Sequence, residues 1–137
     1  MINIFLSCSS KDHDYIKIII DGLTALPDKY KLIYFLRPYN EDTPMEYIIN
    51  KIGEADLFIV FISNNSLESE FVQSELEEAI KLFKHNEIQE ICSIILDSSI
   101  NVFEDYRIPE YISRRNVFYS DSPEIAVRIA EKFISKY

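Results

Sequence analysis

Leu57-Phe58-Ile59-Val60-Phe61-Ile62-Ser63-Asn64-Asn65-Ser66-Leu67-Glu68-Ser69-Glu70-Phe71-Val72-Gln73-Ser74-Glu75-Leu76 passes from an unbroken apolar run, through a polar turn, into a helical pattern. An apolar run without alternation suits a strand covered on both faces, as at the centre of a parallel sheet. The helix is expected to run to about His85. On a wheel of about 100° per residue, Phe71, Val72, Leu76, Ala79, Ile80, Leu82 and Phe83 form one apolar stripe. Glu70, Gln73, Glu77, Lys81 and Lys84 face away. Glu75 falls inside the stripe, between Phe71 one turn earlier and Ala79 one turn later.

A carboxylate in that position costs several kcal/mol unless it is paired, hydrogen-bonded or protonated. Two readings compete. Glu75 sits at the edge of the stripe and bonds a backbone group or a lysine, or it is a site carboxylate. The second follows from its place, because this helix starts at the carboxyl end of a parallel strand, where open α/β sheets bind ligands.

Reading outward in both directions gives a repeating alternation. Ile2 to Ser7 is a strand, Cys8 to Asp12 a polar loop in which Ser10 or Asp12 is positioned to cap, and Tyr15 to Leu26 a helix stopped by Pro27. Its buried face is Tyr15, Ile16, Ile19, Leu23 and Leu26. Lys31 to Leu36 is a second strand. Arg37 to Pro44 is a loop with two prolines. Met45 to Glu54 is a helix with Thr43 as its cap and Tyr47, Ile48, Ile52 and Ala55 on one side, and Asp56 to Ile62 is the third strand. Glu90 to Leu96 is the fourth strand, Pro109 to Ser113 a short helix, and Val117 to Tyr119 the fifth strand. A last helix opens at Ser122-Pro123-Glu124, proline at its first position and an acid in its first turn, and Ile125, Val127, Ile129, Ala130, Phe133 and Ile134 make it amphipathic. Strands separated by helices imply a five-stranded parallel α/β sheet with helices on both faces and right-handed crossovers. The order 2-1-3-4-5 is expected at this length. Residues 7–12, 37–44 and 63–66 then converge beside Glu75 as the candidate site.

The composition narrows the function. With 137 residues and 47% hydrophobic content, one domain, residues 1–137, buries a core and leaves no room for a second. A net charge of -9 without a Lys/Arg run argues against nucleic acid or an anionic membrane as partner. No apolar run approaches the length of a membrane span and no secretory leader is evident, so a cytoplasmic location is expected. Cys8 and Cys92 lack metal or redox spacing and read as small side chains in or beside strands. His13 and His85 share no ligand spacing, and no metal is implied. With only Gly22 and Gly53, neither glycine-rich phosphate fingerprint is possible.

The opening Ile4-Phe5-Leu6-Ser7-Cys8-Ser9-Ser10-Lys11-Asp12 resembles the first strand and loop of bacterial TIR (Toll/interleukin receptor) domains. Ala55 to Leu76 resembles the third strand and following helix of that family, in which an aromatic precedes a glutamate by four residues. Val117-Phe118-Tyr119-Ser120-Asp121 and the last helix fit as well. The resemblance implies the flavodoxin-like arrangement already expected from the alternation. It also implies an NAD nucleosidase, in which the glutamate, here Glu75, is the catalytic residue that cleaves the nicotinamide-ribose bond to give nicotinamide and ADP-ribose or a cyclic product. NAD is then substrate and no cofactor is required.

The expected substrate-binding set is Ser7, Cys8, Ser9, Ser10 and Lys11 in the first loop, Arg37 and Tyr39 in the second, Ser63 and Asn64 in the third, and Phe71. Lys11 and Arg37 compete between phosphate contact and ordinary surface roles, and Ser66 is better suited to capping. Phe71 stands where the family usually has tryptophan. Residues 37–44 match the family's BB loop but lack its usual glycine. Tyr39 or Tyr47 is the candidate to stack on the base or the nicotinamide, with an ordinary packing role as the competing reading for each. The resemblance further implies self-association through TIR–TIR contacts or a regulatory partner, and a role in prokaryotic defence signalling. A non-catalytic TIR–TIR interaction module is the alternative, and a nucleoside deoxyribosyltransferase-like enzyme is a third reading.

Overall fold

The computed structural model describes residues 1–36 and 44–137. Strands β1 (Ile2–Ser7), β2 (Tyr30–Tyr34), β3 (Leu57–Ile62), β4 (Glu90–Ile95) and β5 (Val117–Tyr119) form one sheet in the order β2-β1-β3-β4-β5. Every adjacent pair is parallel. The helices are α1 (His13–Leu23), α2 (Met45–Ile52), α3 (Asn64–Leu67), α4 (Glu70–Lys84), α5 (Glu110–Ser113) and α6 (Pro123–Ile134).

The six consecutive apolar residues of β3 are all buried, and alternate side chains enter two separate cores. Phe58, Val60 and Ile62 pack with Ile48 and Ile52 of α2 and Val72, Leu76, Ala79 and Leu82 of α4. Leu57, Ile59 and Phe61 pack with Ile16, Ile19, Ile20 and Leu23 of α1 and Ala126, Ala130, Phe133 and Ile134 of α6. At about 1.5–3 kcal/mol for each large apolar side chain withdrawn from water, the central strand contributes heavily to stability through both layers. α1 and α6 approach closely at Gly22, where a Cβ would lie 2.7 Å from Val127 Cγ2. That contact closes the second layer.

The start of α4 differs from the expectation, in which residues 63–66 are a loop and Ser66 caps the helix. The chain makes a single turn of α3, then Ser69 adopts an extended conformation (φ -85°, ψ 121°) and restarts the helix, its side chain accepting from Val72 N at 3.3 Å. Two caps six residues apart, Ser63 and Ser69, each satisfy their own free amides, so the segment divides. In the first turn Ser63 is the cap and Ser66 completes a capping box: Ser63 Oγ accepts from Ser66 N at 3.1 Å, and Ser66 Oγ accepts from Ser63 N at 2.8 Å.

Smaller differences follow the same logic. α1 begins at His13 and ends at Leu23, short of Leu26. Asp12 occupies its cap position but makes no capping bond, because its carboxylate is turned toward α3. Ser9 instead caps the short 3-10 turn of residues 10–12. Pro44 takes the cap position of α2, and the expected cap Thr43 lies outside the described residues. Phe71 and Tyr47 are each 48% exposed and Ile125 is 38% exposed, although the wheels put all three on apolar faces. Phe71 instead lines the cleft at the carboxyl end of the sheet.

Candidate functional site

The loops at the carboxyl end of the sheet enclose a small cleft of about 70 Å³, lined by Leu6, Cys8, Ser10, Phe35, Ser69, Phe71 and Glu75. Each lining residue is delivered by the fold in a way its sequence context explains. β1 ends in Leu6 and Ser7, and the chain turns away at Cys8 and Ser10 into the 3-10 turn. α4 restarts at Ser69, which places Phe71 on the rim and Glu75 one turn deeper, where the helix reaches the sheet.

Glu75 is 5% exposed and accepts a hydrogen bond at Oε1 from Ser7 Oγ, 3.1 Å away. Successive β1 side chains alternate between the layers, so Ser7 shares the face of Phe5, the face covered by α4. The hydroxyl therefore meets a carboxylate that arrives between Val72, Leu76 and Ala79. The wheel position of Glu75 corresponds to its burial.

Phe35 also lines the cleft. Its ring centroid lies 6.1 Å from that of Phe5, which is stacked on Phe58 at 5.5 Å with 2° between planes. Tyr47 meets Phe35 edge-on at 6.0 Å from the far side and carries Lys51 Nζ 5.5 Å from its ring centroid. Tyr47 thus buttresses a cleft wall rather than lining the cleft. Phe35 and Ser69 line the cleft without having been expected from the sequence. Ser69 carried a signal, a capping residue ahead of Val72, whereas Phe35 enters only through the pairing of β2 with β1.

The remaining expected residues divide by position. Ser7, Cys8, Ser10 and Phe71 come together around Glu75. Ser9 is buried and bonded to Lys11 N, and Lys11 is exposed outside the lining. Ser63 caps α3 and donates to Asp12 Oδ2 at 2.5 Å, while Asn65 Nδ2 donates to Asp12 Oδ1 at 2.8 Å. Asn64 accepts from Arg107 Nη2 at 2.9 Å and donates to Asp97 Oδ2 at 3.3 Å. Ser63 and Asn64 therefore brace the turn behind the cleft. Arg37 and Tyr39 lie outside the described residues.

Electrostatics strengthen that bracing. Arg107 binds Asp105 through Nε at 3.0 Å and Nη2 at 2.7 Å, and this pairing holds the Asp105 carboxyl below the usual carboxylate range. The Ser99 hydroxyl and backbone amide likewise lower Asp97. Burial pushes the Cys92 thiol up to about 12, whereas Cys8 is half-buried at the cleft. Among the described residues no cluster of His, Cys, Asp and Glu has the arrangement of a metal site, and no helix is long and apolar enough to cross a membrane.

Chemically, this is a shielded carboxylate, held by a hydroxyl donor, facing a cleft lined in part by two aromatic rings. Such a group stabilises positive charge developing on a bound molecule more effectively than the same group in water.

Comparison with known proteins agrees with this architecture. No curated protein matches the chain in sequence. In three dimensions it is similar to the TIR domain of the Toll-related receptor TRR-2 from Hydra magnipapillata, with a TM-score of 0.68 over 97% of this chain and 95% of that one. The two are 11% identical, so the likeness is one of fold. The sequence of residues 4–126 matches the family described as TIR domain. By that match, which spans β1 to the start of α6, the chain belongs to the TIR domain family.

Proposed function

We propose that this TIR domain is an NAD glycohydrolase or cyclase with Glu75 as its catalytic carboxylate. The observation that carries the reading is the 5% exposed Glu75 held by Ser7 at the floor of a cleft. A scaffold has no need of an acid among Val72, Leu76 and Ala79, where it costs stability.

Nicotinamide in NAD is a cationic leaving group. As its bond to the ribose carbon breaks, the electron pair goes to the ring nitrogen and neutralises it, and positive charge passes to the ribose. Glu75 stabilises that oxocarbenium-like centre. Water then adds to give ADP-ribose with release of a proton, or an adenine nitrogen of the same molecule adds to give a cyclic product. Phe71 and Phe35 provide apolar faces for the planar leaving group, and Cys8 and Ser10 lie along the path toward the rest of the dinucleotide.

The cleft volume of about 70 Å³ is well below the roughly 300–1,000 Å³ usual for small-molecule sites. The catalytic reading therefore requires a more open or more extended site, which association with another TIR domain supplies, and activity is expected in the cytoplasm on self-association, in the manner of a prokaryotic defence effector. The same small volume favours the second reading, a non-catalytic TIR–TIR interaction module.

Nicotinamide release from NAD at high protein concentration, with and without a crowding agent, distinguishes the two. Release by the parent protein and its loss in Glu75→Gln, with both folded, supports catalysis. Absence of release from the assembled parent protein favours the interaction module.

A further inference from the structure

We infer that Ser7 is a positioning residue, whose hydroxyl fixes the direction of the Glu75 carboxylate and does not touch substrate. The inference rests on the catalytic reading of Glu75. Ser7 is 0% exposed and is not among the residues that line the cleft, so a bound molecule meets Glu75 and not Ser7. Its Oγ donates to Oε1 from 3.1 Å across a separation of 68 residues.

The frame around that bond is rigid. Ser7 is the last residue of β1, pairs with Val60 of the fully buried β3, and shares its face with Phe5. Glu75 arrives from a different element, on a flexible side chain with Val72, Leu76 and Ala79 as helix neighbours. Apolar contacts constrain where the chain of Glu75 lies but leave the rotation of its terminal carboxylate soft. A donor on the strand adds a directional constraint, and a charged acceptor makes that bond stronger than a neutral one. A residue acting in this way changes the rate of the chemical step more than the affinity for substrate, because misdirection is felt when charge develops.

The test compares nicotinamide release by the parent protein with Ser7→Ala and Ser7→Thr, together with unfolding curves. In Ser7→Ala, kcat is expected to fall by roughly ten- to a hundred-fold with KM changed less than about two-fold. Ser7→Thr, which keeps the hydroxyl, restores most of the lost rate. A raised KM at unchanged kcat makes Ser7 a substrate ligand and overturns the inference. Unchanged values of both in a folded Ser7→Ala protein do the same by reducing the hydroxyl to filling. If the parent protein shows no turnover, the NAD reading fails separately. The contact is then read from the unfolding of Ser7→Ala, Glu75→Ala and the double variant: changes that are not additive sustain the orienting bond, and additive changes overturn it.

Discussion

Two serine-led turns follow β3 in close succession, and the fold uses them in opposite ways. In residues 63–68 the polar groups are turned inward: Ser63 and Ser66 cap each other, Ser63 and Asn65 hold Asp12, and Asn64 holds Arg107. In residues 69–75 a single serine caps the helix, and Ser69, Phe71 and Glu75 all face the cleft. The same residue types at the carboxyl end of the same strand thus make a support and a site.

The sharpest way to break this comparison is to cross activity with stability. Glu75→Gln is expected to reduce nicotinamide release by about a hundred-fold or more, while the urea midpoint is unchanged or higher, because a neutral amide oxygen still accepts from Ser7 and the burial penalty on charge disappears. Ser63→Ala is expected to do the reverse. It loses the capping box and the bond to Asp12, about 2 kcal/mol together, measured by urea unfolding, while the folded fraction turns over normally. If Ser63→Ala impairs turnover without loss of stability, the division of labour is wrong.

A smaller effect is expected at Phe71. Because the ring is 48% exposed, Phe71→Ala changes stability by less than about 1 kcal/mol and raises KM several-fold, measured by steady-state kinetics. The smallest effect belongs to the support. The folded state holds Asp105 below its ordinary carboxylate pKa of about 4, so its pairing with Arg107 contributes stability above that value and loses it as pH falls through the depressed folded value. Asp105→Asn is therefore expected to lower the urea midpoint at pH 7, with the gap from the parent protein narrowing as pH falls below about 4.

These differences also mark what the sequence made legible. The two-sided burial of β3 was written in Leu57 to Ile62, and the sheet order followed from the alternation of elements. The inward position of Glu75 was written in helical phase. The break at Ser69 was not, since Phe71 to Phe83 keeps its phase whether or not the turn before it belongs to the same helix. Nor was the exposure of Phe71, which the helical phase places on the apolar stripe. Ser63 and Asn64 were indistinguishable by residue type from cleft ligands, because a group that caps and a group that binds need the same oxygen and nitrogen atoms. Their partners, Asp12 and Arg107, lie 51 and 43 residues away. Phe35 was hidden for a similar reason, being brought to the cleft by strand pairing and stacking.

The Arg107 guanidinium has a consequence for how the molecule opens. It binds Asp105 in its own loop and Asn64 in α3, and lies 3.7 Å from Glu68 just past α3. Native-state hydrogen exchange should therefore find the amides of residues 64–68 and 101–108 opening as one cooperative unit rather than as two loops. Arg107→Ala should let each exchange at its own rate.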